Sequence, residues 1–425
     1  MALETNSRLC AGGQLLRYDK VCTSWHKSTL LRTKMATLET KFLGMTLPNP
    51  FLVAAGPASS TAAKVIRAFK AGWGGVVLKT FGLEPTQNVS PRIMLIRSGR
   101  KYYGMFDIEL FSGHSFDWWV SQIGEIREAF PGRPLIASIA GGGDAYSWQE
   151  LVRRVEPLGV NAFEMNLSCP SFDKKKGSKL GQDPQALFQT VGWVREATRL
   201  PVIVKLTPNV TDIVELARVA LSAGADAFTS ANSLTGIAGI DLDSFSPLPS
   251  VDGYGIVGGY GGLGLKPVSL RCVANVSQAL GTPILGVGGI SRWQDAVEYM
   301  AVGASAVQVC TAVMLEGFEL IADLKKGLSS YLEEKGFASP ADIVGRSLPK
   351  LSVFSTLDLT TRKVARIDLE RCNSCGNCAR ACGAGGFEAI SMVEKLPVVD
   401  ASLCDGCGLC DSVCTTGAIV MARRN

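Results

Sequence analysis

The chain has 425 residues, 47% of them hydrophobic and 19% charged, which is enough apolar material for two or three cored domains and excludes a disordered protein. A net charge of +5 over that length gives little reason to expect a nucleic-acid partner. No apolar run reaches about 18 residues, so no membrane span is expected, and the N-terminus lacks the apolar core and small-residue cleavage site of a secretory signal.

Thirteen cysteines are present, and eight of them fall between Cys372 and Cys414. An odd total clustered in this way is not a disulfide framework, and a reduced, cytoplasmic setting is expected.

Residues 1–35 contain Cys10, Cys22 and His26 and no clear period. Two expectations stand: a poorly ordered leader, or translation starting at Met35. From residue 50 onward the pattern becomes regular. Short apolar runs, most of them ending in Gly, Ser, Thr or Asn, alternate with longer helical stretches. The runs are Phe51–Gly56, Gly75–Thr80, Leu135–Ala140, Ala162–Ser168, Pro201–Thr207, Ala227–Asn232, Pro283–Gly289 and Ala306–Val313. Near-continuous apolar strands imply burial on both faces, as in a parallel sheet. Eight strand–helix units predict a (β/α)8 TIM barrel, an α/β fold, with a doubly wound open sheet as the alternative.

Polar residues gather where these strands end. They include Lys79 and Thr80, Asn166, Lys205 and Thr207, Asn232 and Ser233, Gly288 and Gly289, and Thr311. In a barrel all of these face one mouth, where ligands bind. A lysine in a dry strand end is costly without an anionic partner; an electron-rich ring, a phosphate or a carboxylate would serve. The fourth run ends in Asn166-Leu167-Ser168-Cys169-Pro170, which brings an amide, a hydroxyl and a thiol to the same mouth. A buried structural cysteine is the bland alternative for Cys169. The segment that follows, with Lys174, Lys175, Lys176 and Lys179, is polar and aperiodic, as expected of a loop over a site.

Gly261-Gly262-Leu263-Gly264 and Gly288-Gly289 flank the seventh strand, a common place for phosphate in barrels. Residues 259–264 also fit G-x-G-x-x-G. No clear strand precedes that stretch, and Lys266-Pro267 is expected to interrupt any helix it opens, so it is a weak dinucleotide fingerprint.

The C-terminal segment carries the strongest signal. Cys372-x2-Cys375-x2-Cys378-x3-Cys382 is followed by Cys404-x2-Cys407-x2-Cys410-x3-Cys414. This doubled spacing is that of a two-cluster bacterial ferredoxin, in which the fourth cysteine of each run ligates the other cluster. Cys372, Cys375, Cys378 and Cys414 are thus expected to hold one [4Fe-4S] cluster, and Cys404, Cys407, Cys410 and Cys382 the other. Gly383 and Thr415 stand where a proline usually follows, which touches no ligand. Zinc is the alternative metal. The expected domains are a leader at 1–35, a flavin barrel at 36–335, a linker at 336–364 and a small α+β ferredoxin-like domain at 365–425.

Residues 36–420 resemble the flavin and ferredoxin part of the dihydropyrimidine dehydrogenase family, with the dihydroorotate dehydrogenase barrel as a more distant relative. The resemblance is carried by Asn49-Pro50-Phe51, Ala71-Gly72-Trp73-Gly74, Lys79-Thr80-Phe81, Asn88-Val89-Ser90-Pro91-Arg92, Asn166-Leu167-Ser168-Cys169-Pro170, Gly181-Gln182-Asp183-Pro184, Lys205-Leu206-Thr207-Pro208, Gly288-Gly289-Ile290 and both cysteine runs. It implies FMN at the barrel mouth, touching Ala54, Ala55, Lys79, Lys205, Gly262, Gly289, Cys310 and Thr311. It implies a pyrimidine held by Asn166, Ser168, Asn232 and Ser233, with Cys169 as the acid that protonates one ring carbon while its neighbour receives hydride. It also implies an oligomer, and a partner subunit that oxidises NAD(P)H on FAD, because no nicotinamide-binding unit is left once the barrel and ferredoxin segments are assigned.

Two departures bear on the substrate. Asp107 stands where the family has an asparagine, in Asp107-Ile108-Glu109-Leu110, and Ser171 follows Cys169-Pro170 where the family often has histidine. An ionised carboxylate only accepts hydrogen bonds, whereas an amide also donates. Two alternatives therefore remain beside a pyrimidine reductase. One is a related flavin enzyme acting on another cyclic unsaturated compound, dihydroorotate included. The other is an electron-transfer module with the barrel as scaffold.

Overall fold

The computed structural model describes residues 36–167 and 180–424. The chain divides between Val344 and Gly345 into two compact units.

In the first unit eight parallel strands close into a barrel. They are Phe51–Val53, Gly75–Val77, Leu135–Ile139, Ala162–Asn166, Val202–Lys205, Ala227–Ser230, Ile284–Val287 and Ala306–Val309. Each falls within one of the eight apolar runs, and the open doubly wound sheet is set aside. The strands are buried along nearly their whole length, because the barrel interior covers one face and the helices the other.

Polar side chains in the loops that lead into the helices cap them. Thr61, Ser115, Asp144, Asp183 and Asp212 each accept a hydrogen bond from a first-turn amide. The helices pack by one apolar face, as Ala145–Val155 does with Trp148, Leu151, Val152 and Val155.

The two ends of the barrel are built differently. At the amino end of the strands, Leu52, Val77, Ile136, Ala162, Ile203, Ala227, Leu285 and Ala306, one from each strand, pack together. A hairpin of Thr40–Phe42 and Met45–Leu47 inserts Phe42, Met45 and Leu47 against them. That end is an apolar plug. At the other end a four-stranded antiparallel sheet is added, in the order Leu234–Gly236, Gly258–Gly261, Lys101–Asp107, Ile93–Ser98.

One expectation is corrected here. Lys266-Pro267 does not interrupt a helix: Lys266–Leu280 is helical, with the proline in its first turn. A first-turn amide has no intrahelical acceptor, so a residue without N–H costs nothing there.

The second unit pairs Lys363–Ile367 with Ile419–Arg423 and Ile390–Val393 with Leu396–Val399. Two short helices, Asn377–Ala384 and Leu409–Ser412, complete it. Its small core includes Ala365, Ala389, Ile390 and Ile419 with Cys378, Cys382 and Cys410. Among the described residues no helix is long and apolar enough to cross a membrane.

Asn49 shows how the first strand is set. Its buried side chain accepts from the Phe51 amide at 3.2 Å and donates to the Gly72 carbonyl at 2.9 Å. It thus clips the strand to the end of the first helix. Asn49→Ala leaves both backbone groups unpaired and should lower the unfolding free energy by about 1–3 kcal/mol, measured by urea denaturation.

Candidate active site

A cavity of about 1180 Å³, its open mouth included, lies at the carboxyl ends of the barrel strands. Its wall is assembled from distant parts of the chain. Ala54 and Ala55 follow the first strand, Lys79 the second, and Asn166 and Lys205 end the fourth and fifth. Asn232 and Ser233 follow the sixth, Gly289 the seventh, and Cys310 and Thr311 the eighth. Asp107 and Gly262 come from the added sheet and the turn after it. The structure thus brings together all twelve of these expected site residues. Ser168, Cys169 and the four lysines that follow lie outside the described residues.

Both strand-end lysines have carboxylate partners. The Lys79 ammonium lies 2.5 Å from Glu109, whose other oxygen accepts from Arg92 at 3.1 Å. Lys205 lies 3.8 Å from Glu164 Oε1. Glu164 is fully buried inside the barrel, and its Oε2 accepts from the Thr229 hydroxyl at 2.7 Å and the Gln308 amide at 2.9 Å. A buried carboxylate so pinned needs a cation beside it.

The strand register explains the arrangement. Asn166 is level with Lys205, and Lys205 with Thr229. Glu164 is two residues before Asn166 and so faces the same way, one layer deeper. A second polar chain runs beside the first. Thr80 and Ser138 share a hydrogen bond of 2.9 Å, Asn166 donates to Thr80 at 2.9 Å, and Asn232 donates to Asn166 at 3.4 Å. The two carboxamides are therefore oriented at the cavity wall.

Glycines form one side. Gly262 and Gly289 both have left-handed backbones, at φ 78° and 69°. A methyl group on Gly289 would come within 2.8 Å of the Gly262 carbonyl oxygen, so the two loops can pack this closely only with glycine at 289.

Two titratable groups in the cavity are displaced from their ordinary ranges. Desolvation pushes the Cys310 thiol up to about 11, which leaves it neutral. Desolvation also raises Asp107 to about 6. The positive charges of Lys79 and Lys205 and the Glu109 amide pull it down, while the Glu109 carboxylate pushes it up. Asp107 is therefore mostly ionised at pH 7 and mostly neutral below pH 6.

Glu109, Glu164, Thr229 and Gln308 were not singled out from sequence. An acid inside an apolar strand, as Glu164 is in Ala162–Asn166, was the signal that could have found one of them.

In the second unit the cysteines surround two separate cavities. Cys372, Cys375, Cys378 and Cys414 line one of about 320 Å³. Cys382, Cys404, Cys407 and Cys410 line another of about 310 Å³. The sets cross over between the runs as the ferredoxin spacing predicts. Among the described residues no three His, Cys, Asp or Glu side chains converge as a single-ion site requires.

Residues 37–332 match the family model described as dihydroorotate dehydrogenase, and residues 365–421 one described as a 4Fe-4S dicluster domain. The chain is 34% identical over 363 residues to the NAD-dependent dihydropyrimidine dehydrogenase subunit PreA of Escherichia coli K12, covering 84% of this chain and 88% of that one. It is 32% identical over 349 residues to the chloroplastic dihydropyrimidine dehydrogenase (NADP(+)) of Arabidopsis thaliana, covering 78% and 82%. It is 38% identical over 312 residues to the catalytic subunit of dihydroorotate dehydrogenase B (NAD(+)) of Pyrococcus horikoshii, covering 73% and 98%.

The Asp107 carboxyl should titrate with a midpoint of about 6, followed by carbon-13 NMR of labelled aspartate, and that signal should be missing in Asp107→Asn. Its folded value is raised, so ionising it costs folding free energy as pH rises through the interval from 3.8 to about 6. Asp107→Asn should therefore raise Tm more at pH 7.5 than at pH 4.

Proposed function

Since the chain belongs to the dihydroorotate dehydrogenase family and a 4Fe-4S dicluster domain follows its barrel, we propose that it is the flavin and iron–sulfur subunit of a cytoplasmic pyrimidine oxidoreductase. It reduces the C=C bond of uracil or thymine to the 5,6-dihydro form, or runs that reaction in reverse. The observation that carries the reading is the cavity, where two ammonium groups, two oriented carboxamides and a glycine wall converge at the open end of the barrel.

FMN fits this donor set. Lys79 and Lys205 suit an electron-rich ring, and Gly262 and Gly289 line the same cavity, where glycine backbone is suited to a phosphate. Ala54, Ala55, Cys310 and Thr311 would complete its contacts. Bound there, FMN would supply hydride chemistry at one ring carbon and the ability to trade two electrons for single ones.

Asn166 and Asn232, with Ser168 and Ser233, hold the pyrimidine edge. Carboxamides both donate and accept, which matches alternating N–H and C=O groups. Cys169 gives the proton to the neighbouring ring carbon. An unperturbed thiol, with a pKa of about 8.5, is mostly protonated at neutral pH and can act as a general acid. In the oxidative direction its thiolate takes that proton.

A specific observation bears on the dihydroorotate alternative. Glu109 is paired with Lys79 and Arg92, so Asp107 is the carboxylate of the cavity that would repel the anionic substituent of that ring. A neutral pyrimidine avoids the repulsion.

Cys372, Cys375, Cys378 and Cys414 hold one [4Fe-4S] cluster, and Cys382, Cys404, Cys407 and Cys410 the other. Four thiols around a cavity suit a multi-atom cluster better than one tetrahedral zinc, whose ligands must close to about 2.3 Å of the ion. Electrons come from a partner subunit that oxidises NAD(P)H on FAD.

Two measurements test this reading. Anaerobically purified protein should carry about one FMN and about eight iron atoms per chain, and NADH alone should not bleach the flavin. Stoichiometric zinc, or rapid bleaching by NADH, would overturn the assignment. With an artificial electron donor, turnover should be seen with uracil or thymine and not with orotate. Cys169→Ala should keep both cofactors and slow that turnover by about 10²- to 10⁴-fold. An unslowed variant would remove Cys169 from the mechanism.

A further inference from the structure

We infer that the two cluster sites are electrically unequal, and that the cluster held by Cys372, Cys375, Cys378 and Cys414 takes up an electron at the higher potential. The inference rests on the two-cluster reading above. Reduction adds one negative charge to a cluster. Hydrogen bonds to its sulfurs and nearby cations stabilise the reduced form, and carboxylates oppose it.

The sulfurs of the two sets are not served alike. In the first set the Ser374 amide donates to Cys372 Sγ at 3.4 Å and the Ala418 amide to Cys414 Sγ at 3.2 Å. The Thr416 hydroxyl lies 3.6 Å from the same Cys414 sulfur. In the second set, the sulfurs of Cys382, Cys404 and Cys407 receive no hydrogen bond among the described residues. Cys378 and Cys410 stand at equivalent places and each faces the following amide, so that contact does not distinguish the sites.

The linings differ in the same sense. Asn373, Asn377 and Thr416 join Ile367, Pro397 and Ile419 around the first cavity, whereas Asp405 is the one polar side chain beside the cysteines among Phe387, Ile390, Leu409 and Met421 around the second. Asn373 and Asp405 occupy the same place in their runs, so the first loop is neutral where the second is anionic. The Arg371 guanidinium donates to the Thr416 carbonyl at 3.2 Å, beside the first cavity, and Arg380 donates to Asn377.

The wider balance agrees. Residues 366–380 carry Arg366, Arg371 and Arg380 against Asp368 and Glu370, a net +1. The equivalent residues 398–412 carry Asp400, Asp405 and Asp411 with no Lys or Arg, a net −3. Arg380 sits on a helix that carries Cys378 of one set and Cys382 of the other, and Asp411 lies between Cys410 and Cys414, which belong to different sets, so each acts on both clusters. Arg371, Thr416 and Asp405 each stand at one cavity only.

The test is an EPR-monitored potentiometric titration of the full-length holoprotein at low ionic strength. Dithionite supplies one electron per cluster and is itself oxidised to sulfite. Iron is measured first. A content near four atoms per chain would overturn the two-cluster reading, and the inference with it. With about eight atoms, two reduction steps are expected. Thr416→Val and Arg371→Gln should shift the upper step to lower potential and leave the other in place. Asp405→Asn should shift the lower step upward and leave the upper one. Coincident steps in the parent protein, or Arg371→Gln and Asp405→Asn acting on the opposite steps, would overturn the asymmetry while leaving the two clusters intact. If Thr416→Val fails to retain iron, the two exposed-residue variants still decide.

Discussion

A lysine ammonium at the end of a buried strand needs a negative partner close by, and the active-site end of this barrel is arranged around two such demands. Glu109 meets Lys79 from outside the barrel, just beyond the strand Lys101–Asp107 of the added sheet. Glu164 meets Lys205 from inside, on a neighbouring strand one layer down. The first pair ties the added sheet to the barrel and so carries Asp107 into the cavity. The second is held looser, because Thr229 and Gln308 already claim one oxygen of Glu164. Both lysines remain at the cavity wall with their charge balanced.

The rest of the barrel makes that end the one where ligands can bind. The hairpin that plugs the opposite end leaves an apolar core with no room for polar chemistry. Polar side chains then appear where several of the strands leave the core, and hydrogen bonds among Thr80, Ser138, Asn166 and Asn232 orient them. The second unit follows a different rule. Its core is small and includes three cysteines, and each cavity is lined by cysteines of both runs. Metal bound in such cavities would couple the two halves of the unit and add directly to its folding free energy.

The eight barrel strands were readable because each lies in a near-continuous apolar run, most of them ending in small polar residues. The added sheet was not. Its strand Gly258–Gly261 is mostly glycine, and Ile93–Ser98 is half exposed, so neither shows a clear apolar period. The helix from Lys266 was missed for a local reason, since a proline that breaks a helix interior is neutral in its first turn. Among the site residues, those at strand ends were legible by position. Glu109, Thr229 and Gln308 were not, because nothing in their own neighbourhoods shows that they meet a lysine or a buried acid.

The sequence by itself determined the strand–helix alternation and the division of the cysteines into two sets. Both rest on short-range spacing: burial on two faces demands unbroken apolar runs, and a cluster demands thiols at fixed intervals. Only the tertiary structure decided which carboxylate balances which lysine and where Asp107 titrates. Those properties depend on groups far apart in the chain, Lys79, Asp107, Glu109 and Lys205 among them, brought within a few ångströms inside a desolvated cavity. A pKa is set by every charge and dipole around the group, and spacing along the chain carries no record of them.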